Sequence, residues 1–222
     1  MIITIDGYAG SGKSTAAREL AAALGFELLN TGAMYRAVAW RLQQRGINIH
    51  QDPPNLAAIE AEVATVSFTL AQNRITLDGE ERIDYLDSEE AGRGASRVGL
   101  FRPVRLRLQQ EQRRIAHQRD IVCEGRDQGT AVFPEAPVKF FFHASPEVRA
   151  ARRVKQLREK NLPADPETIL RQICQRDYED THREFDALRP AADAIPVDTS
   201  EQSPQTVLAF MIDVVERCRS RS

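Results

Sequence analysis

Lys13, Ser14 and Thr15 close a glycine-rich run that opens at Gly7, written Gly7-Tyr8-Ala9-Gly10-Ser11-Gly12-Lys13-Ser14-Thr15. The spacing is G-x-x-x-x-G-K-S. The apolar, β-branched Ile2–Ile5 precedes it and the helix-forming Ala16–Leu24 comes after it, so the motif has the strand before and helix after that it requires. Glycines let consecutive backbone N–H groups turn inward around a phosphate without side-chain clashes. The succeeding helix points its positive end at the same phosphates. Lys13 supplies a mobile cation for β- and γ-phosphates, and the Ser14 hydroxyl is placed to ligate Mg²⁺. Tyr8 packs against the nucleotide or brushes it. The pattern predicts a nucleoside triphosphate site, with Mg²⁺ beside the phosphates.

Further charged residues recur behind other apolar runs. Thr31, Tyr35 and Arg36 follow Phe26–Leu29, and Glu124, Arg126 and Asp127 follow Asp120–Cys123. Arg149, Arg152 and Arg153 follow Val138–His143; Arg149 and Arg153 are one helical turn apart and share a face. Arg176, Asp180 and Arg183 are spaced four and three apart and share another. Taken singly, each set reads as a solvated helix face with an ion pair. Several arginine sets beside one phosphate loop point instead to a second phosphorylated ligand.

These residues need a scaffold that brings strand ends together. Strand and helix patterns alternate, as in a parallel sheet wrapped by helices. Five strands are predicted, at Ile2–Ile5, Phe26–Leu29, Asp120–Cys123, Val138–His143 and Ile195–Asp198; Pro196 confines the last to an edge. Asn30-Thr31-Gly32 is read as a turn into a helix over Ala33–Arg45. Helices are also predicted over 54–64, over 88–119 with a break at Phe101-Arg102-Pro103, from Pro146 to about Leu157, from Pro163 to about Arg183, and over Val207–Cys218. Between Val66 and Ile83 the pattern alternates at period two, with Gln72-Asn73 able to turn and Asp78-Gly79 a hairpin signal. An antiparallel appendage is expected there. With the phosphate loop at the first strand–helix turn, ligands belong along the carboxyl edge of the sheet.

Composition narrows the class. The chain has 222 residues, enough for one domain with a substantial core, and its net charge of −2 argues against general nucleic-acid or membrane-surface binding. Of its 30 basic residues 26 are arginine, the better bidentate phosphate ligand. Arg97, Arg102, Arg105, Arg107, Arg113, Arg114 and Arg119 could form a nucleic-acid patch, but only Phe101 interleaves them. Cys123, Cys174 and Cys218 are odd in number and widely spaced, favouring reduced thiols in a cytoplasmic protein. No apolar run approaches the length of a membrane span. An Asn-Lys-x-Asp run and an apolar strand ending in Asp-x-x-Gly are both missing, which argues against a GTPase-type switch.

The chain resembles the bacterial-type cytidylate kinases, a branch of the nucleoside monophosphate kinases. The resemblance rests on Ile3-Thr-Ile-Asp-Gly7, the phosphate loop, Thr31-Gly-Ala-Met-Tyr-Arg36, Gly125-Arg-Asp-Gln-Gly-Thr-Ala-Val-Phe-Pro134, Ala136-Pro-Val-Lys139, Arg149-Ala-Ala-Arg-Arg153 and Arg176-Asp-Tyr-Glu-Asp180. It implies a P-loop NTPase fold in one kinase domain: core 1–30, a monophosphate-binding region 31–100 with its hairpin insert near 65–83, core 101–149, a lid at 150–163, and core 164–222. It implies ATP-dependent phosphorylation of CMP, and of dCMP, by an enzyme acting without nucleic acid or membrane and as a monomer. Thr31, Arg36, Arg126 and Arg183 would hold the CMP phosphate, with Tyr35 beside them. Ser96, Arg105 and Asp127 would read the cytosine edge, and Arg176 and Asp180 would contact the sugar. Arg149 and Arg153 would serve the triphosphate side and lid, with Lys13, Arg126, Arg153 and Arg183 as the catalytic cations. Asn30 stands where the family often has Asp, and Glu124 where some members have Asp. Within the enzymes, the rival is a P-loop kinase for UMP, dTMP or a non-nucleotide acceptor.

Overall fold

A single apolar stripe on the first strand organises the larger part of the chain. The computed structural model describes residues 1–80 and 89–220, and the last residues of the predicted hairpin region, 81–83, lie outside them together with residue 88. By its contacts the chain divides into two units, Met1–Leu28 with Ile121 onward, and Leu29–Asp120.

In the first unit, β1 (Ile2–Gly7) lies between β5 (Ile121–Gly125) and β6 (Val138–His143), parallel to both. β2 (Glu27–Asn30) and β7 (Ile195–Asp198) complete a five-stranded sheet of order β2-β5-β1-β6-β7. All five predicted strands are present, and β7 with its Pro196 is at an edge. Alternation sorts β1 onto two faces. Ile3 and Ile5 join Val122, Phe140 and Phe142 in a core closed by α1 (Lys13–Leu24) and α8 (Pro204–Arg219), through Ala17, Leu20, Ala21, Val207, Met211 and Val215. Thr4 and Asp6 face the other way and are equally buried. That face is covered by a π-type turn, Gln128–Val132, just after β5. Both sheet faces are therefore covered, as parallel sheets require. α6 (Pro146–Glu159) and α7 (Pro166–His182) pack together through Ala150, Val154, Leu157 and Ile169, a small core of their own. Ser145, Asp165 and Ser203 cap α6, α7 and α8 by accepting from the third residue beyond them.

In the second unit α2 spans Thr31–Gln44, two residues earlier than the sequence suggests. The cause is Asn30, whose Oδ1 accepts from the Ala33 N–H at 3.1 Å and starts the helix where a turn is expected. An amide oxygen here does the capping work of a carboxylate. α3 (Leu56–Ala64), α4 (Glu89–Val98) and α5 (Arg102–Ala116) come next, with α4 packed on α2 and α5 on α3. α5, expected in the core, belongs to this unit. β3 (Phe68–Ala71) and β4 (Arg74–Leu77) form the antiparallel hairpin, turning at Gln72 and Asn73, both at positive φ. Asp78-Gly79 makes a second tight turn, closed by the Leu77–Glu80 bridge.

The arginine-rich segment is accounted for inside this unit. Arg107 donates to the Val66 carbonyl at 2.7 Å, Arg114 to that of Phe68, and Arg119 to that of Leu70 at 3.5 Å. These are alternate carbonyls along one edge of β3, so guanidinium groups take the place of a neighbouring strand. Buried Glu111 accepts from Arg114 and from the Phe68 N–H; burial raises its carboxyl, but Arg114, that N–H and Arg107 hold it below the usual range. Arg97 donates to the carbonyls of Ile49 and Gln51.

Candidate active site

Gly7 must be glycine because β1 ends against β6. A Cβ there would sit 2.1 Å from the Phe142 carbonyl oxygen, and φ is +149°. The chain then turns at Tyr8–Gly12, with the Ser11 hydroxyl donating to the Tyr8 carbonyl at 2.9 Å. Gly12 occupies the N-cap position of α1 in the left-handed region, φ 86°. Lys13 is the first helical residue and is buried; its ammonium folds back to the Tyr8 carbonyl at 3.3 Å. Burial, then the charge of Arg126, push Lys13 down to about 7. Ser14 and Thr15 are exposed at the open end of the helix.

The Ser14 hydroxyl donates to Glu124 Oε2 at 2.7 Å. Glu124 is the next-to-last residue of β5 and is buried. A hydroxyl and a carboxylate at this point suit Mg²⁺, a hard cation that takes oxygen ligands and keeps waters and phosphates in its shell. Among the described residues no group of three or more His, Cys, Asp or Glu could hold a metal. Ser14 and Glu124 offer two oxygen donors, which leaves the remaining positions of an octahedral shell to phosphate oxygens and water.

One residue beyond Glu124 and Gly125, Arg126 Nε donates to Asp180 Oδ2 at 2.9 Å. Arg183 Nη1 lies 3.7 Å from the other oxygen of Asp180 and its Nε donates to the Asp186 carbonyl. Burial alone raises the Asp180 carboxyl, but Arg126, Arg176 and Arg183 hold it below the usual carboxylate range. The expected face Arg176–Asp180–Arg183 thus exists and takes in Arg126 as well. Asp127 is buried, 3% exposed.

Arg149, expected on the triphosphate side, lies against the phosphate loop. Its side chain is 2% exposed and its guanidinium is engaged on every side. Nε donates to the Ala144 carbonyl at 2.9 Å and Nη1 to Ala9 at 3.3 Å. Nη1 and Nη2 grip Asp177 at 2.9 and 2.5 Å, and the group lies 5.1 Å from the Tyr8 ring centroid. It braces the phosphate loop at Tyr8 and Ala9. Arg153, one turn on, is half-buried. Arg152 donates to Thr199, whose hydroxyl donates to the Ser11 carbonyl at 2.8 Å.

Within the second unit, Thr31 is buried at the start of α2, and Tyr35 and Arg36 lie on its second turn, half-buried. Arg105 is 3% exposed, donates to the Gly99 carbonyl at 3.3 Å and lies over the Tyr35 ring at 5.9 Å. Ser96 is half-buried on α4. Tyr35 and Arg105 therefore do come together.

Residues 3–217 match the family model for cytidylate kinase. The chain belongs to the cytidylate kinase family. It is 44% identical to the cytidylate kinase of Rhodopirellula baltica over 98% of this chain and 93% of that one. The cytidylate kinase of Fervidobacterium nodosum is 42% identical over 98% and 97%. An uncharacterised protein from Eubacterium ventriosum shares the fold, with TM-score 0.55, 14% identity and coverage of 97% and 98%. For a cytidylate kinase, the residues that sequence reasoning missed are Asp6, Asp177 and Thr199. Each acts on the loops through a partner far along the chain, so no local spacing announces it. Glu124 had a signal, a carboxylate near the end of the strand beside β1.

Proposed function

We propose that this cytidylate kinase family member transfers the γ-phosphoryl group of MgATP to CMP, and to dCMP, giving CDP or dCDP and ADP. The observation that carries this reading is a pair of cation sets in one unit: Lys13 on the phosphate loop, and Arg126 and Arg183 around Asp180. They are close enough that Arg126 depresses Lys13. Such an arrangement suits two polyanions brought end to end. A CMP phosphate oxygen is already anionic near neutral pH; it forms the new bond to the γ-phosphorus as the bond to the β–γ bridging oxygen breaks in line. No strong general base is required, and the protein's task is positioning and charge stabilisation.

For ATP we assign Gly7 to Thr15, with Arg153 and, as a support rather than a ligand, Arg149. Bound Mg²⁺ would be held by Ser14, with Glu124 beside it, and would neutralise charge on the transferring group. For the CMP phosphate we assign Thr31, Tyr35, Arg36, Arg126 and Arg183, for the sugar Arg176 and Asp180, and for the base Ser96, Arg105 and Asp127. Cytosine offers a donor at N4 and acceptors at N3 and O2. A carboxylate accepts from N4 and an arginine donates to the others, whereas uracil presents O4 to the carboxylate and leaves polar atoms unsatisfied. Residues 150–163 serve as the lid that excludes water. The enzyme is read as a cytoplasmic monomer; among the described residues no helix is long and apolar enough to cross a membrane.

A coupled ADP-release assay with CMP, dCMP, UMP, AMP and dTMP tests the reading. Turnover should be fastest with CMP and dCMP. A preference for UMP or dTMP overturns the base assignment.

A further inference from the structure

Asp6 has no part in the transfer described above, yet it is a carboxylate held inside the protein at the end of the central strand, 4% exposed. Its Oδ1 accepts from the Gln128 N–H at 2.8 Å and its Oδ2 from the Gly129 N–H at 2.7 Å. Those two amides open the π-type turn, and the residue flanking that turn is Asp127, which makes no side-chain capping bond. An aspartate in that position ordinarily accepts from the amide two or three residues on, here Gly129 or Thr130. Here a carboxylate more than a hundred residues away has taken the Gly129 amide, and the Gln128 amide with it.

We propose that Asp6 is a positioning residue for base selection: by capping the turn in place of Asp127, it fixes the Asp127 backbone and keeps that side chain from becoming the cap. The inference rests on the assignment of Asp127 to the base. Burial pushes the Asp6 carboxyl up to about 7, and the charge of Asp127 adds to this while that of Arg126 opposes it. Cys123 and Lys139 flank Thr4 in the register on the same sheet face. A carboxylate in such a place is costly, and an apolar residue would cover the sheet at less cost. What an apolar residue lacks is two acceptors side by side. Asparagine has only one, and its amide would oppose a backbone N–H. Gly129 gives a second handle, since a Cβ there would meet Thr4 Oγ1 at 3.0 Å, Lys139 Cδ at 3.2 Å and Asp6 Oδ2 at 3.5 Å. Gly129→Ala therefore crowds the turn against Thr4 and Lys139 and strains its bonds to Asp6 while leaving the carboxylate itself in the sequence.

The test is kcat/KM for CMP and for UMP, with KM for ATP and the melting temperature, in the full-length wild type, Asp6→Asn, Gly129→Ala and Asp127→Asn. Loss of one buried hydrogen bond corresponds to roughly three- to tenfold. Asp6→Asn and Gly129→Ala should lower the CMP/UMP ratio by about that factor, with KM for ATP within about twofold. Asp127→Asn should lower the ratio as well. A purely structural Asp6 would lower both substrates alike and leave the ratio unmoved, which overturns the proposal. If Asp6→Asn does not fold, Gly129→Ala decides by the same ratio. Should Asp127→Asn alone shift the ratio, the Asp6 role is wrong and base reading by Asp127 stands; an unshifted ratio in Asp127→Asn removes the base assignment itself.

Discussion

Two buried ionisable groups near the phosphate loop have ordinary values far from neutrality and are both brought to about 7, Lys13 downward and Asp6 upward, each chiefly by burial. Removing them should have different effects. Lys13 faces the loop, so Lys13→Ala should leave the melting temperature nearly unchanged while kcat with CMP falls by about a hundredfold or more, the scale for one preorganised donor to transition-state charge. Near-normal turnover in that variant would remove Lys13 from the phosphate cradle. Asp6 gives a pH signature in stability. Its folded value lies above the ordinary 3.8, so the folded state binds the extra proton. The associated stability is complete below the ordinary value and is lost as pH rises through about 7. Asparagine carries no such charge. The melting temperature of Asp6→Asn relative to wild type should therefore climb between pH 5 and pH 8, and a difference independent of pH would show that the carboxyl ionises normally.

At the scale of elements, α7 does more than carry Arg176 and Asp180. Its Asp177 neutralises Arg149, which in turn holds Ala9. Asp177→Ala leaves a buried guanidinium without its carboxylate, a change that destabilises by about 3–5 kcal/mol in general. Both a lower melting temperature and a higher KM for ATP are expected, and a variant with unchanged KM would uncouple Arg149 from the loop. The end of α6 behaves differently. Arg152 is tied to Thr199, but Lys155, Arg158 and Lys160 are exposed beside Glu159 alone, a segment that anions would order. Amide exchange over 150–163 should slow sharply with a bisubstrate analogue and only in part with CMP; equal protection in free and bound enzyme would mark a static helix. The elements themselves were legible because period and turn chemistry are local: five strands, the Gln72-Asn73 turn and the capped helices all arise from neighbouring residues. The placement of Arg149 was not legible in this way. Its spacing from Arg153 predicts a shared face, whereas its burial depends on Asp177, 28 residues away. Asn30 shows the same limit on a smaller scale, since a turn former and a helix cap look alike until the Ala33 amide is seen to be its partner.

For the molecule as a whole, net charge of −2 and 26 arginines pose a question that composition alone leaves open. Arg97, Arg107, Arg114 and Arg119 are bonded to carbonyls of their own unit, so four of the segment's seven arginines are held by the fold and not extended toward a phosphate backbone. Fluorescence anisotropy with labelled duplex DNA or RNA at about 0.1 M salt should show no saturable binding, and a steep salt dependence would contradict this account. Thr199 carries a last consequence. The glycine loop is braced by a hydroxyl donated across 188 residues of sequence, from a segment made long after the loop itself. A ribosome-bound chain that has already made its glycine loop, first helix and central strands still lacks that brace. The brace of the glycine loop is thus made only after the sheet's other strands, and the order of translation sets when the loop reaches its final hydrogen bonding.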